Sequence, residues 1–439
     1  MNRRAAGRAT MIVAASVAGW TSVAYLQERN PEAPFFDFRT EAPGTLRHIT
    51  IADLPRPYTP PVQWDYRPAL PSAWPQVPQG FTIEAYTTGV SAPRYLKRAP
   101  NGDIFVTDSY SGLIKILRDL PGERSPRVET FATGLTLPFG IAFYPPGPEP
   151  EFVYVANADS IVRFAYANGD LRARGPQETI VPRITLRGAS GHWTRDIAFS
   201  DDGRALYVSV GSEGNVTDTD ASDAETLRAA ILETNPTGGP LHVFASGLRN
   251  PVALAVDPDT GDLWTTVNER DLLGNNLPPD FVTRVRRGGF YGWPWFYAGS
   301  NEDPTLPGRH PELQFQSIVP DVLLQPHSAP IQLAFYDRGQ FPPEYDGDVF
   351  VATHGSWNRS MRTGYEVVRI VRTNGRTTGR YQDFVTGFVG DETPDGAPRG
   401  RPTGIAVTED GSLLIADDFT GTIWRVRWQA AAEPARAGR

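Results

Sequence analysis

The 439-residue chain carries 42 Lys and Arg against 50 Asp and Glu, a formal charge of −8, which argues against nucleic acid as a partner. It has no cysteine, so disulfide frameworks and thiolate metal sites are excluded, and its 42 Gly and 41 Pro favour turns over long helices. Lys97 and Lys115 are the only lysines, which nearly excludes Schiff-base or general-base amine chemistry and leaves cationic roles to arginine.

The chain opens with Arg3, Arg4 and Arg8, then an apolar run from Thr10 to Ala24 that ends in the small-x-small triplet Ser22, Val23, Ala24. This is the pattern of a secretory signal peptide over residues 1–24, short for a membrane span, with an uncleaved anchor as the alternative. Export without disulfides points to a bacterial periplasm or secretion, with membrane contact only if the leader is retained. Residues 25–78 include DLPRPYTPPVQWDYRPALPSAWPQVP and read as a Pro-rich extended strap, not a domain.

From residue 79 to 428 one pattern recurs six times, followed by a short tail over 429–439. APRYLKRAPNGDIFVTDSYSGLIKILR, HWTRDIAFSDDGRALYVSVGSEGN, RNPVALAVDPDTGDLWTTVNERD and RPTGIAVTEDGSLLIADDFTGTIWRVRW each hold a small, apolar strand, an Asp/Gly/Pro turn and a second strand of alternating Val, Ile, Leu or aromatic residues. Lead-in phrases recur too, as FATGLTLP, FASGLRNP and FVTGFVGD. A strand-turn-strand unit repeating at roughly 50 residues predicts an all-β, six-bladed β-propeller. FTIEAYTTGV at 81–90 resembles an outer strand set ahead of the first inner one, so it is expected to complete the last blade and close the ring.

In a propeller, residues just before an inner strand and residues just after the second strand share one rim. The first class holds His192, Arg249 with Asn250, His327 and Arg401. The second holds VGSEGN (210–215), VNERDLLGNN (267–276) and THGSWNRS (353–360). Chemically rich residues concentrate in these two classes, which predicts a shared site over the central channel. An imidazole at His192 suits general-base work near neutral pH. Arg249 and Asn250 suit an anionic or carbonyl-rich ligand, with an inter-blade salt bridge as the plainer reading. The oxygen-rich NERD loop, with Glu269 and Asp271, suits a hard cation such as Ca²⁺ or simply a solvated acidic loop. GGFYGWPWFY (288–297) reads as core or a wedge between blades, and the insertion after it is a candidate to lie over the channel mouth. There is no phosphate-binding Gly-rich loop and no G-x-S-x-G elbow.

GLRNPVALAV, GGFYGWP, GHWTRDIAFSDDGRALYVSVGS and RPTGIAVTEDGSLLIADD together resemble the soluble glucose/L-sorbosone dehydrogenases, six-bladed propellers that use pyrroloquinoline quinone (PQQ) and calcium; NERDLLGNNLPPDFVT and HGSWNRS are closer to the sorbosone branch. The resemblance implies that His192 is the catalytic base, that Arg249, Asn250 and Arg401 bind the cofactor, and that the backbone carbonyls of Glu269 and Arg270 hold the calcium. Arg359 stands nearest the family's cofactor lysine, Thr403 replaces a second closing arginine, and Ser212, with Glu213 adjacent, stands where the glucose enzyme has the acid that orients its histidine. The aspartate ahead of that histidine is Gly191, and the second-blade glutamine has no equivalent near Leu135. The implied function is an exported PQQ- and calcium-dependent sugar dehydrogenase of aldose or L-sorbosone type, passing electrons to an unidentified cytochrome or quinone acceptor. The alternatives are a calcium-dependent propeller lactonase or hydrolase and a non-catalytic binding propeller.

Overall fold

In Leu113–Arg118 (LIKILR) buried and half-buried side chains nearly alternate, while Ile104–Asp108 beside it is buried throughout. A strand covered on both faces must lie between stacked sheets. The computed structural model, which describes residues 34–59, 74–186, 191–393 and 395–429, arranges such strands as six antiparallel blades around a channel. The expected leader, the 25–33 and 60–73 parts of the strap and the tail beyond Gln429 lie outside the described residues. Among the described residues no helix is long and apolar enough to cross a membrane.

Blade 1 comprises Pro93–Arg98, Ile104–Asp108, Leu113–Arg118 and Arg127–Ala132; blade 2, Ile141–Tyr144, Phe152–Ala156, Ile161–Ala165 and Glu178–Val181. Blade 3 comprises Ile197–Phe199, Leu206–Val210, Ala230–Thr234 and His242–Ser246; blade 4, Pro251–Val256, Leu263–Val267, Pro279–Arg284 and, after the long insertion, Val322–Pro326. Blade 5 comprises Pro330–Phe335, Val349–His354, Tyr365–Thr373 and Arg376–Val385; blade 6, Pro402–Val407, Leu413–Asp417, Thr422–Trp428 and Phe81–Thr87.

As the sequence predicts, Phe81–Thr87 pairs with Thr422–Trp428, Phe81 opposite Trp428, so the two ends of the repeat close one sheet. Closure removes the open edge a linear array would expose. The Phe81 ring meets Phe341, Phe384 and Trp428 edge-on at 4.8, 5.1 and 4.9 Å, locking this blade to blade 5. Every junction has its own apolar cluster, for example Leu414, Ala416 and Ile423 against Leu96 and Val106 between blades 6 and 1. Each large side chain fully buried there contributes roughly 1.5–3 kcal/mol.

Four inner strands begin with proline, at Pro93, Pro251, Pro330 and Pro402, and in each the ladder register slips just after it. Proline offers no N–H, so the ladder breaks there and the strand bends, turning Arg94, Asn250 and Arg401 toward one rim. Amides freed by the slip are met from other blades, across the channel as well as from the adjacent one. Gln332 Oε1 accepts from Leu96 N (3.0 Å) and Ile405 N (2.9 Å), its Nε2 donates to Leu96 O (2.8 Å), and Asp196 Oδ2 accepts from Leu254 N (2.7 Å).

The strap is more ordered than its proline content suggests. Leu46–Arg47 adds a fifth strand to blade 5, Arg47 pairs with Asp383 at 2.8 Å, and Phe35, Phe36 and Ile49 are buried. The aromatic stretch between the third and fourth strands of blade 4 is core, one of the two readings of the sequence, with Tyr291, Trp293, Trp295, Phe296 and Tyr297 buried.

Candidate active site

On the rim where the inner strands begin, a funnel of about 340 Å³ is lined by His192, Trp193, Arg249, Asn250, His327 and Arg401, joined by Asn268, Glu269, Asp271, His354, Trp357 and Asn358 from the loops after second strands. The first class and two of the three loops of the second converge there; none of residues 210–215 lines the funnel, although Ser212 and Asn215 lie behind His192 and Arg249. Arg94 and Asp280 also line the funnel and were not among the expected residues.

His192 is held by one carbonyl. Its main-chain N–H and its Nδ1–H both donate to Ser212 O, at 3.1 and 2.8 Å, and Ser212 Oγ lies 3.2 Å from Nδ1. A proton on Nδ1 leaves the lone pair on Nε2, at the edge left to the funnel. Burial, with the charges of Arg249, Arg195 and Arg228, pushes the imidazole down to about 3, so the ring is neutral at physiological pH. Two glycines permit the approach: a Cβ on Gly191, whose φ is +67°, would sit 2.6 Å from Glu213 O, and one on Gly211 would sit 2.6 Å from His192 Cβ.

Arg249 is the hub. Nη1 donates to Glu269 O at 2.6 Å, Nη2 donates to Asn215 Oδ1 at 3.0 Å, and Asp271 lies 3.4 Å from Nη2. Glu269 O, one of the two carbonyls expected to hold calcium, is therefore engaged by a guanidinium. Arg270, the other, sends its side chain away from the channel to a buried ion pair with Asp303 at 2.7 Å. Burial pushes the carboxyls of Glu269 and Asp280 up to about 7. Asp280 Oδ1 accepts from Glu269 N at 2.8 Å and Oδ2 from Ala329 N at 2.7 Å, tying the loops of blades 4 and 5 together.

On another side, Asp418 takes Arg94 Nη1 at 2.5 Å and His354 Nε2 at 2.9 Å. Burial pushes His354 down to about 4; it also opposes charge on Asp418, but the hydrogen bond and charge of His354, with Arg94, outweigh it and hold that carboxyl well below its usual range. Arg401 donates through Nε to His354 O at 3.0 Å and through Nη2 to Gly355 O at 3.3 Å. His327, at φ +67°, donates from Nε2 to Gly274 O at 2.9 Å, and burial lowers its pKa.

The expectation for Arg359 is corrected. Its guanidinium leaves the funnel, donating to Phe36 O at 2.6 Å and Asn276 Oδ1 at 2.7 Å, because the ordered strap supplies the carbonyl it pairs with. None of residues 298–321 of the insertion lines the funnel. Arg309 and His310 instead reach Asp218 and Asp220, at 2.8 and 2.7 Å, beside blade 3.

The residues fit a flat, polyanionic cofactor with a hard cation. Arg94, Arg249 and Arg401 converge on one space with the aromatic faces of Trp193 and Trp357. Asn250 Oδ1 and Asn268 Oδ1 are buried acceptors with no partner among the described residues, which a bound donor or cation would complete. Also among the described residues, no three or more His, Asp or Glu side chains converge to hold a metal, so a cation here would draw on carbonyl and amide oxygens.

A family model described as TrAA12-like matches residues 75–281 and 312–429. A protein of Borreliella burgdorferi is 26% identical over 365 residues, covering 81% of this chain and 91% of its own length. The pyrroloquinoline quinone-dependent pyranose dehydrogenase of Coprinopsis cinerea is 24% identical over 80% of this chain, which spans about half (54%) of that relative's length. In fold, the chain matches the calcium structure of the Trichoderma reesei family AA12 enzyme with a TM-score of 0.67 at 21% identity, covering 81% of this chain and 97% of that one.

Proposed function

The chain belongs to the TrAA12-like family, and on that premise we propose that it is a PQQ- and calcium-dependent sugar dehydrogenase, of aldose or L-sorbosone type, with His192 as general base. The observation that carries this reading is the neutral, singly anchored imidazole opening on a space where three arginines converge. The relatives' names support the cofactor and the substrate class.

Arg94, Arg249 and Arg401 would hold the cofactor's carboxylates, with Asn250 beside Arg249. The carbonyls of Glu269 and Arg270 would hold the calcium, Glu269 O already accepting from Arg249, and Asn268 Oδ1 would be a further oxygen for it. When bound, PQQ supplies the two-electron acceptor that takes hydride from the sugar's anomeric or aldehyde carbon. His192 Nε2 removes the proton from the hydroxyl on that carbon, carried by the hemiacetal at an anomeric centre or by the hydrate of an aldehyde, and Ser212 O, accepting from Nδ1–H, steadies the imidazolium that forms. Burial that disfavours this imidazolium in the free chain is offset once an anion lies against Arg249. Trp193 and Trp357 line the funnel. Electrons would then leave to a cytochrome or quinone, and the signal-like pattern over residues 1–24 supports work in the periplasm or outside the cell, at the membrane if that segment is retained as an anchor.

Reconstitution tests this. Purified protein given PQQ and Ca²⁺ is expected to show quinone absorbance changes on addition of an aldose and to reduce an artificial dye. His192→Ala is expected to retain the cofactor and lose at least about 100-fold in kcat. A chain that takes up no PQQ would sink the proposal.

A further inference from the structure

The imidazole of His192 depends on a backbone oxygen, and a backbone oxygen is only as well placed as the turn that carries it. Ser212 O lies in a loop that leaves blade 3 at Val210 and returns at Ala230. Glu225, only 4% exposed, closes that loop from within. Its Oε1 accepts from Glu213 N (3.1 Å) and Gly214 N (3.0 Å), and its Oε2 also accepts from Glu213 N (3.0 Å). The carboxylate is aimed backwards by the 3₁₀ turn Asp223–Glu225, whose N-cap Ser222 accepts from Ala224 N. Ser212 Oγ completes the turn by donating to Gly214 O at 2.6 Å.

We propose that Glu225 is the positioning residue for His192: its carboxylate binds the two amides that follow Ser212, fixes the Ser212 carbonyl, and so holds the imidazole in the tautomer that presents Nε2 to the funnel. This rests on His192 being the base. It also explains how the site works with a serine at position 212, since a carboxylate still orients the histidine, acting through the backbone and from 13 residues downstream. Arg228 steadies the other side of the turn, donating to Gly211 O at 3.2 Å and pairing with Glu213 at 3.1 Å.

The test reads the imidazole itself. With only six histidines in the chain, ¹⁵N-histidine labelling of the unloaded protein resolves the His192 tautomer. The native protein is expected to show the Nδ1–H form. Glu225→Ala, and Glu225→Asp, which keeps the charge but shortens its reach, are expected to give a tautomer mixture. Once loaded with PQQ and Ca²⁺, both should lose about 10- to 100-fold in kcat with KM within about threefold. Glu225→Gln, which keeps an acceptor oxygen at full reach, is expected to restore most of both. Glu233→Gln, which removes the pair with Arg287 in the same blade, should leave the tautomer alone. If Glu225→Ala does not fold, Glu225→Asp decides. A native tautomer and native kcat in Glu225→Asp would overturn the assignment. A shifted tautomer with full turnover in His192→Ala would instead keep the positioning role and remove the base.

Discussion

Asp418 is where the balance of the site is most exposed to a single atom. It is nearly buried and neutralises Arg94, also nearly buried, while accepting from a neutral His354. Asp418→Asn removes the only carboxylate paired with Arg94 in the described residues and leaves a guanidinium in a low-dielectric pocket. The expected loss is roughly 3 kcal/mol, because breaking a buried pair strands the partner's charge. His354→Asn removes one neutral donor and should lose only about 1 kcal/mol. Urea unfolding of the two unloaded variants checks the ordering; equal losses would mean that Arg94 finds another partner. The same residues mark the limit of legibility at this scale. His192, Arg249, Asn250 and Arg401 could be read from their place ahead of inner strands. Arg94 could not, because it lies inside its strand and reaches the rim only through the register slip after Pro93. Arg359 failed for the opposite reason: its loop was placed on the rim, but its partner is a strap carbonyl 323 positions away in sequence.

At the scale of the element, the inner strands are held together by side chains that cross between blades. Gln332 meets three backbone groups of blades 1 and 6 from a site 4% exposed. Gln332→Leu keeps the volume but orphans Leu96 N, Leu96 O and Ile405 N. At about 1–3 kcal/mol for each unsatisfied buried group, and with some relaxation, the loss should be about 3–5 kcal/mol. Hydrogen exchange should show the amides of Leu96 and Ile405 losing protection together. Protection unchanged at both would show that the register slips are satisfied in some other way. The blades were legible because a repeat is a statement of period, and the closing strand because its composition matched an outer strand with no blade of its own. The strap's fifth strand was not: Leu46–Arg47 has no alternation of its own and is a strand only because the blade 5 edge at Tyr381 and Gln382 offers it a ladder.

At the scale of the whole molecule, buried ionisable groups of two kinds set how stability varies with pH. His192 and His354 are held down to about 3 and about 4, and His327 is lowered as well, all chiefly by burial. Below about pH 6.5 the unfolded chain protonates these rings while the native protein does not, so each removes stability as pH falls, by at most ~1.4 kcal/mol per pH unit. Asp196 is pushed up to about 7 and Glu41 to about 8, again by burial, and Glu269 and Asp280 act alike in the metal-free chain. Above about pH 4 the unfolded chain has lost these protons and the native protein keeps them, so these groups remove stability as pH rises, until about pH 7–8. Between about pH 4.5 and 6.5 the two sets oppose each other. Below that window the histidines act alone, and above it the acids do. Glu366, Asp383 and Asp348 are raised by burial as well, so the acids outnumber the three histidines, and thermal melts of the unloaded protein at constant ionic strength should show a maximum near about pH 4.5, with the melting temperature falling below it and falling above it, most steeply from about pH 6.5. Glu41→Gln should flatten the upper limb, because an amide has no proton to lose, and leave the lower limb as it was. A melting temperature that climbs steadily through neutrality to pH 8 would mean that these buried carboxyls are already ionised in the native protein.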